Sequence, residues 1–297
     1  MSKGVFWSFL SAFLWSTTFV CSRYLLADRS VDPFTLATLR FAAGGLLLLA
    51  AGLIWRRKEI LSLRWKDALQ CALMALFGMG GMCVFLFFGQ QDVGAINSSI
   101  LMQVSPVFIV ILGVLIGERM TWVGLVGVLV SFWGTLLVMG VLDIDGLHLS
   151  LSQGCGNFLI VASALCWALY AVFSQGLVVR MGGYAATTWV MIAGALELLV
   201  LQLLMPVAPH WPTTLHHWLA IAYLAVFPTA LGYFAWYEAM RLIRLSLLNV
   251  MQYLTPVFVI FLAWILLGER LLLVQWMGAA IVLMGVWMVS CRSARSI

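Results

Sequence analysis

Two ionisable side chains stand inside apolar stretches of this sequence, Arg40 and Glu197. Charge at bilayer depth is costly, so each is either satisfied by a partner or placed for work. Arg40 attracts an anionic or carboxylate solute, snorkels to the outer surface, or pairs between helices. Glu197 lies midway along its stretch with no base inside a span at its own depth. It is protonated or faces water, which makes it a coupling candidate for protons, or it is held by a structural hydrogen bond. Polar groups cluster in two further stretches: Asn97, Ser98, Ser99, Gln103 and Ser105 in one, Asn249, Gln252, Tyr253 and Thr255 in the other. Such residues either line a cavity or hold helices together. Trp15 and Trp167 lie well inside their stretches, away from the interfacial belt that tryptophan favours. Their faces suit an aromatic or apolar solute, or plain packing. Tyr170 shares the face of Trp167, and Phe85, Phe88, Tyr233 and Tyr237 add aromatic surface. Pro106 and Pro256 interrupt backbone hydrogen bonding within their stretches. They are either fixed packing kinks or hinges that bound a central cavity.

Other chemistry finds little support. His148, His210, His216 and His217 fall outside the apolar stretches or at their edges, and the adjacent His216-His217 pair has the wrong spacing for a helical metal site. Asp143-Ile144-Asp145-Gly146 is too short for a calcium loop, and no glycine-rich phosphate loop occurs. The expectation is no enzyme, no metal and no cofactor. Glu238 has Arg241 at i+3 as its expected partner. Glu118-Arg119 and Glu269-Arg270 read as anchors of tight helix connections.

These residues need helices to position them. The chain is 64% hydrophobic and 9% charged, with a mean hydropathy of +1.08, a balance that a soluble globule cannot hide. It reads as an all-α integral membrane protein in the lipid bilayer. Ten stretches reach spanning length: 4–26, 34–54, 68–89, 94–116, 122–141, 154–177, 184–205, 216–238, 245–267 and 273–291. The first reads as a retained helix rather than a cleaved signal. The six cysteines sit in or at the ends of apolar runs and form no disulfide framework. With both termini cytoplasmic, the inner segments carry 12 basic residues and the outer ones 3, as the positive-inside rule requires. No basic-aromatic patch suggests nucleic acid.

The chain also repeats itself. Ser105-Pro106-Val107-Phe108 with Gly117-Glu118-Arg119 returns as Thr255-Pro256-Val257-Phe258 with Gly268-Glu269-Arg270, offset by 150 and 151 residues. Ala12-Phe13-Leu14-Trp15 answers to Ala164-Leu165-Cys166-Trp167. Five stretches per copy is an odd number, so the sequence predicts two inverted five-helix repeats, 1–141 and 154–291, with a short cytoplasmic tail at 292–297. Gly124, Gly127 and Gly134 in the fifth stretch and Gly278 and Gly285 in the tenth suit close packing, either within the chain or across a homodimer.

Leu14-Trp15-Ser16-Thr17, Leu39-Arg40-Phe41 and the doubled Pro-Val-Phe…Gly-Glu-Arg motif resemble the EamA-type branch of the drug/metabolite transporter superfamily over essentially the whole chain. The resemblance implies a secondary carrier of the bacterial inner membrane, often an exporter of amino acids or related metabolites. It implies a cavity built mainly from helices one, three, four, six, eight and nine, with five and ten set apart. The lining candidates become Trp15, Asn97, Ser98, Trp167, Tyr170, Tyr237 and Gln252. Arg40 has no basic counterpart in the second half, where Val190 stands at its place. A channel-like facilitator and a non-transporting scaffold are the alternatives.

Overall fold

The computed structural model describes residues 3–27, 29–115, 122–138, 151–204, 209–243, 251–252 and 254–293. Among them there are helices and connecting turns and no strand. In chain order the long helices are α1 (Lys3–Leu26), α2 (Pro33–Trp55), α3 (Trp65–Gly89), α4 (Ala95–Leu115), α5 (Trp122–Val138), α6 (Leu151–Phe173), α7 (Gly183–Leu204), α8 (Leu215–Ala239), α9 (Leu254–Leu267) and α10 (Leu273–Ser293). Seven of them, α1 to α4 and α6 to α8, are long and apolar enough to cross a membrane. The remaining three carry shorter apolar segments, Leu125–Gly134, Leu254–Leu267 and Leu273–Gly285. Leu46, Ile54, Leu115, Leu203 and Leu266 stand exposed on the outside, where acyl chains rather than water would meet them.

Local chemistry fixes where the helices begin. Asp32 caps α2, accepting from the Thr35 amide at 2.9 Å, and Pro33 follows at the first helical position, where no amide is needed. The same carboxylate accepts from the His210 amide at 2.9 Å, tying the start of α2 to the segment before α8. The start of α4 has no cap of its own. Glu269, from the loop before α10, supplies it across the molecule, accepting from the Ala95 amide at 2.9 Å and the Ile96 amide at 3.0 Å. Gly268 adopts φ +67°, the left-handed conformation that lets the loop turn there.

Two helices run antiparallel to early ones and set the depth of the site. α8 lies along α1: Gly4 meets Leu242 and Ile243 at one end, and the Cys21 thiol donates to the Ala220 carbonyl at 3.6 Å towards the other. α7 lies along α2: Gln202 donates to Thr35 Oγ1 at 2.5 Å, and Gly45 packs against Met191 and Ile192. Interpolating between these contacts puts Arg40 and Glu197 at one level. The expectation that Glu197 has no base at its own depth is therefore corrected: Arg40 stands near the same distance from the outer end of stretch 34–54 as Glu197 does from that of 184–205.

α3 and α8 share a distortion. Leu76–Gly81 and Ala225–Leu231 are π-helical turns, which spoil the ordinary backbone ladder and often accompany function. In α8 the cause is local, since Pro228 has no amide to donate. In α3 the segment holds Gly78, Gly80 and Gly81, which yield easily. Neighbouring helices bond to carbonyls in or beside each turn: the Trp15 indole donates to Pro228 O at 3.1 Å and the Ser163 hydroxyl to Met82 O at 2.6 Å.

The prolines act differently from one another. α4 is not a single kinked rod, because its backbone tightens at Gln103 and Val104, just before Pro106. There the Gln103 amide bonds to Ile100 O at 3.0 Å and the Val104 amide to Leu101 O at 3.1 Å. Pro256 lies in the first described turn of α9, where a missing amide disturbs least. The glycine faces of α5 and α10 meet each other inside the chain. A Cβ on Gly134 would fall 2.6 Å from Val282 N, and one on Gly285 would fall 2.6 Å from Gly127 O. Backbones approach this closely only where side chains are absent.

Candidate functional site

The candidate site gathers aromatic rings from α1, α6 and α8 around Trp15. Its ring centroid lies 5.9 Å from Trp167, 5.3 Å from Tyr233 and 5.1 Å from Trp236. Trp167 in turn lies 5.5 Å from Tyr170, whose hydroxyl is 3.4 Å from that of Tyr237. These edge-on and tilted geometries are favourable for aromatic pairs. Glycines make the room. A Cβ on Gly232 would lie 3.0 Å from Trp15 Nε1, and one on Gly78 would lie 2.6 Å from the Tyr170 ring. Gly78 lies within the π turn of α3 and Gly232 directly follows that of α8. The distortions and the rings are thus one construction.

Four of the sequence candidates, Trp15, Trp167, Tyr170 and Tyr237, come together here. Others do not. Ser98 is buried and donates its O–H to the carbonyl of Gly94, the residue before α4, at 2.8 Å, which leaves only its oxygen as an acceptor. Gln252 donates to Ser11 Oγ at 3.1 Å, and Thr255 donates to Ala12 O at 3.4 Å. Both therefore tie α1 to the α9 region. Asn97 Oδ1 and Gln252 Oε1 are buried acceptors without a hydrogen-bond donor among the described residues. Phe85 is exposed and Phe88 pairs with Phe34 at 5.5 Å, away from the cluster. Asn249, Tyr253, Glu118, Arg119, Asp143, Asp145 and His148 lie outside the described residues.

Arg40 does not snorkel. It is 3% exposed, and its Nε donates to Thr229 Oγ1 in the π turn of α8 at 2.6 Å. The guanidinium carbon stands 5.3 Å from the Phe41 ring and 6.0 Å from that of Phe87. Glu197 is half-buried, and its Oε2 has no hydrogen-bond partner among the described residues. The two groups share a level yet make no ion pair. Sequence reading missed Thr229, Pro228 and Trp236. A proline deep in the eighth stretch was the available signal for the first two. With 14 tryptophans in the chain, nothing distinguished Trp236.

The two ends of the molecule differ. At the end bearing the N-terminus, a cavity of about 760 Å³ is lined by residues including Arg56, Arg180, Tyr184, Tyr237 and Glu238. Glu238 is bound there by Arg56 at 3.1 Å. Its expected neighbour Arg241 has a side chain outside the described set. Arg180 forms a second rim pair with Asp67 at 3.2 Å. At the opposite end a seam of side-chain bonds ties α1 to the end of α3. Arg23 donates to the carbonyls of Gln90 and Gln91 at 2.5 and 2.7 Å. Ser22 bonds to Gln90 Oε1 at 2.5 Å, and Gln90 Nε2 donates to Phe19 O at 3.2 Å. Glu269 approaches Arg23 at 3.9 Å while capping α4.

The comparisons with known proteins agree with a transporter. The model of the EamA-like transporter family matches this chain twice, over residues 2–140 and 154–291. The probable terminal-alkyne amino-acid exporter of Streptantibioticus cattleyicolor is 28% identical over 99% of this chain and 95% of its own. An uncharacterized transporter of Archaeoglobus fulgidus is 26% identical over 94% and 96%. The uncharacterized transporter YyaM of Bacillus subtilis is 27% identical over 91% and 87%. A protein of known crystal structure, 23% identical, superposes over 99% of both chains with a TM-score of 0.69, which shows a shared fold. With family matches over both halves and full-length relatives named as transporters, the chain is a multi-pass membrane protein that belongs to the EamA-like transporter family.

Proposed function

We propose that this protein is a secondary carrier that exports amino acids or related small metabolites by alternating access. The observation that carries this reading is the difference between the two ends. A cavity of about 760 Å³ reaches Tyr237 from the N-terminal end, while the Arg23, Gln90 and Glu269 seam closes the other. A carrier caught open to one side has this form, whereas a pore is continuous. The family model matching both halves supports ten spans in two inverted five-helix repeats. The asymmetry of loop charge supports cytoplasmic termini in the cell inner membrane.

In this mechanism the rings of Trp15, Trp167, Tyr170 and Tyr237 receive the apolar part of the solute. The free acceptors of Asn97 and Gln252 receive its donors. Pro106, just after the break in α4, and Pro256, at the start of α9, mark the hinge points about which the halves rock. Glu197, a carboxylate at membrane depth, is the coupling group for protons. The name of the relative in Streptantibioticus cattleyicolor supports amino acids as cargo and export as direction.

The test is flux in proteoliposomes holding the purified full chain, using a labelled amino-acid and amine panel with and without an imposed pH gradient. Saturable counterflow is expected. Absence of protein-dependent flux across the panel would refute the carrier, and rates near free diffusion through an open pore would favour a channel-like facilitator.

A further inference from the structure

Arg40 has a charge that the fold does not balance. The side chain begins seven residues after Pro33, about 10 Å along the helix at 1.5 Å per residue. It nevertheless turns inward to 3% exposure instead of reaching back to the surface. A guanidinium offers a planar fork of donors matched to a carboxylate. Here only Nε has a hydrogen-bond acceptor among the described residues, the Thr229 hydroxyl. No carboxylate of the described residues lies within 4.0 Å of it. The two phenyl rings offset part of the cost as cation–π partners. They leave the charge whole.

The surroundings say what would complete it. Thr229 follows Pro228, whose carbonyl holds the Trp15 indole, so the guanidinium and the aromatic cluster meet along one π turn of α8. Gly44, one turn beyond Arg40, brings α2 close enough for this: a Cβ there would lie 2.6 Å from Thr229 Cγ2. Tyr233 contacts Trp15 and lies one turn from Tyr237, where the open cavity ends. We propose that Arg40 is the anchoring point for the carboxylate of the transported solute, whose apolar body then lies on Trp15 and Tyr233. The inference rests on the carrier reading above and narrows its cargo to compounds with a carboxylate beside an apolar group.

The test uses the full chain in lipid nanodiscs and thermal unfolding with matched probes: benzoate against benzamide, and L-phenylalanine against L-phenylalaninamide. The carboxylates are expected to raise the melting temperature saturably, the neutral or cationic counterparts far less. Arg40→Met is expected to abolish the difference, and Arg40→Lys to weaken apparent carboxylate affinity about tenfold, because a point charge replaces the fork. Thr229→Asp covers the case in which Arg40→Met fails to fold. It places a carboxylate beside the guanidinium, so it is expected to raise stability without ligand and remove the response to benzoate. Equal responses to acid and amide, an equal response to sodium chloride, or a carboxylate preference surviving in Arg40→Met or Thr229→Asp would each overturn the proposal. The carrier reading fails separately. Protein-dependent flux that favours amines and is unchanged in Arg40→Lys defeats the anchor alone. Carboxylate binding with no flux of any probe defeats the carrier alone.

Discussion

Glu269→Gln tests the seal opposite the cavity. The wild-type carboxylate accepts from two backbone amides at the start of α4, at 2.9 and 3.0 Å, and faces Arg23 at 3.9 Å. A helix cap contributes about 1 kcal/mol, and a negative charge at a helix N-terminus a further ~0.3–1 kcal/mol. The Arg23 pair is long and partly exposed, so it adds between about 0 and 1 kcal/mol. Glutamine keeps one acceptor but loses the charge and the second acceptor, which removes about 1–2 kcal/mol from the sealed state, or roughly a 5–30-fold shift in population. Val93 is buried beside this seam, so a cysteine placed there reports its opening. In a background with the exposed Cys155 and the other native cysteines replaced, an impermeant maleimide should label Val93→Cys about 5–30 times faster when Glu269→Gln is added, by the same conversion. An unchanged rate, with the protein folded and the seam still protected, would show that Glu269 caps a helix without holding the seal.

Two further substitutions probe the construction of the site. Trp15→Phe keeps a ring in the cluster but deprives Pro228 O of its donor. Leaving that carbonyl unpaired should cost about 1–3 kcal/mol of stability, measured as a lower melting temperature in detergent, while Trp15→His retains part of it. Gly134→Val drives a side chain into Val282 N and should cost about 1–3 kcal/mol by overpacking. Because α5 and α10 carry none of the aromatic cluster, the folded fraction of Gly134→Val should still bind benzoate.

The membrane class, the long helices and the aromatic partners Trp15 and Trp167 were legible because hydropathy and repeat position are written along the chain. Neighbours and facing were not. The stretches 34–54 and 184–205 set Arg40 and Glu197 at similar depth, but only the contacts of Thr35 with Gln202 and of Gly45 with Met191 and Ile192 show that α2 packs on α7. Ser98 looked like a lining residue by type, yet a hydroxyl on a helix can bond to the carbonyl a turn before it, and this one does. The cap on α4 comes from 174 residues away, a contact that no local signature announces. The π turns were hidden for another reason: glycine and proline permit such a turn without requiring it.

The positions of those turns bear on how the chain arose. A π turn is an α-helix into which one residue has been inserted, rotating everything beyond it. The two here begin at Leu76 and Ala225 and end at Gly81 and Leu231, within a residue of the 150-residue spacing between Pro106 and Pro256. Each lies inside a separate match to the same family model. One insertion in a half-length ancestor would place both turns at this spacing. The two halves use the distortion differently, with glycines beside Tyr170 in one and a proline beside Trp15 and Arg40 in the other.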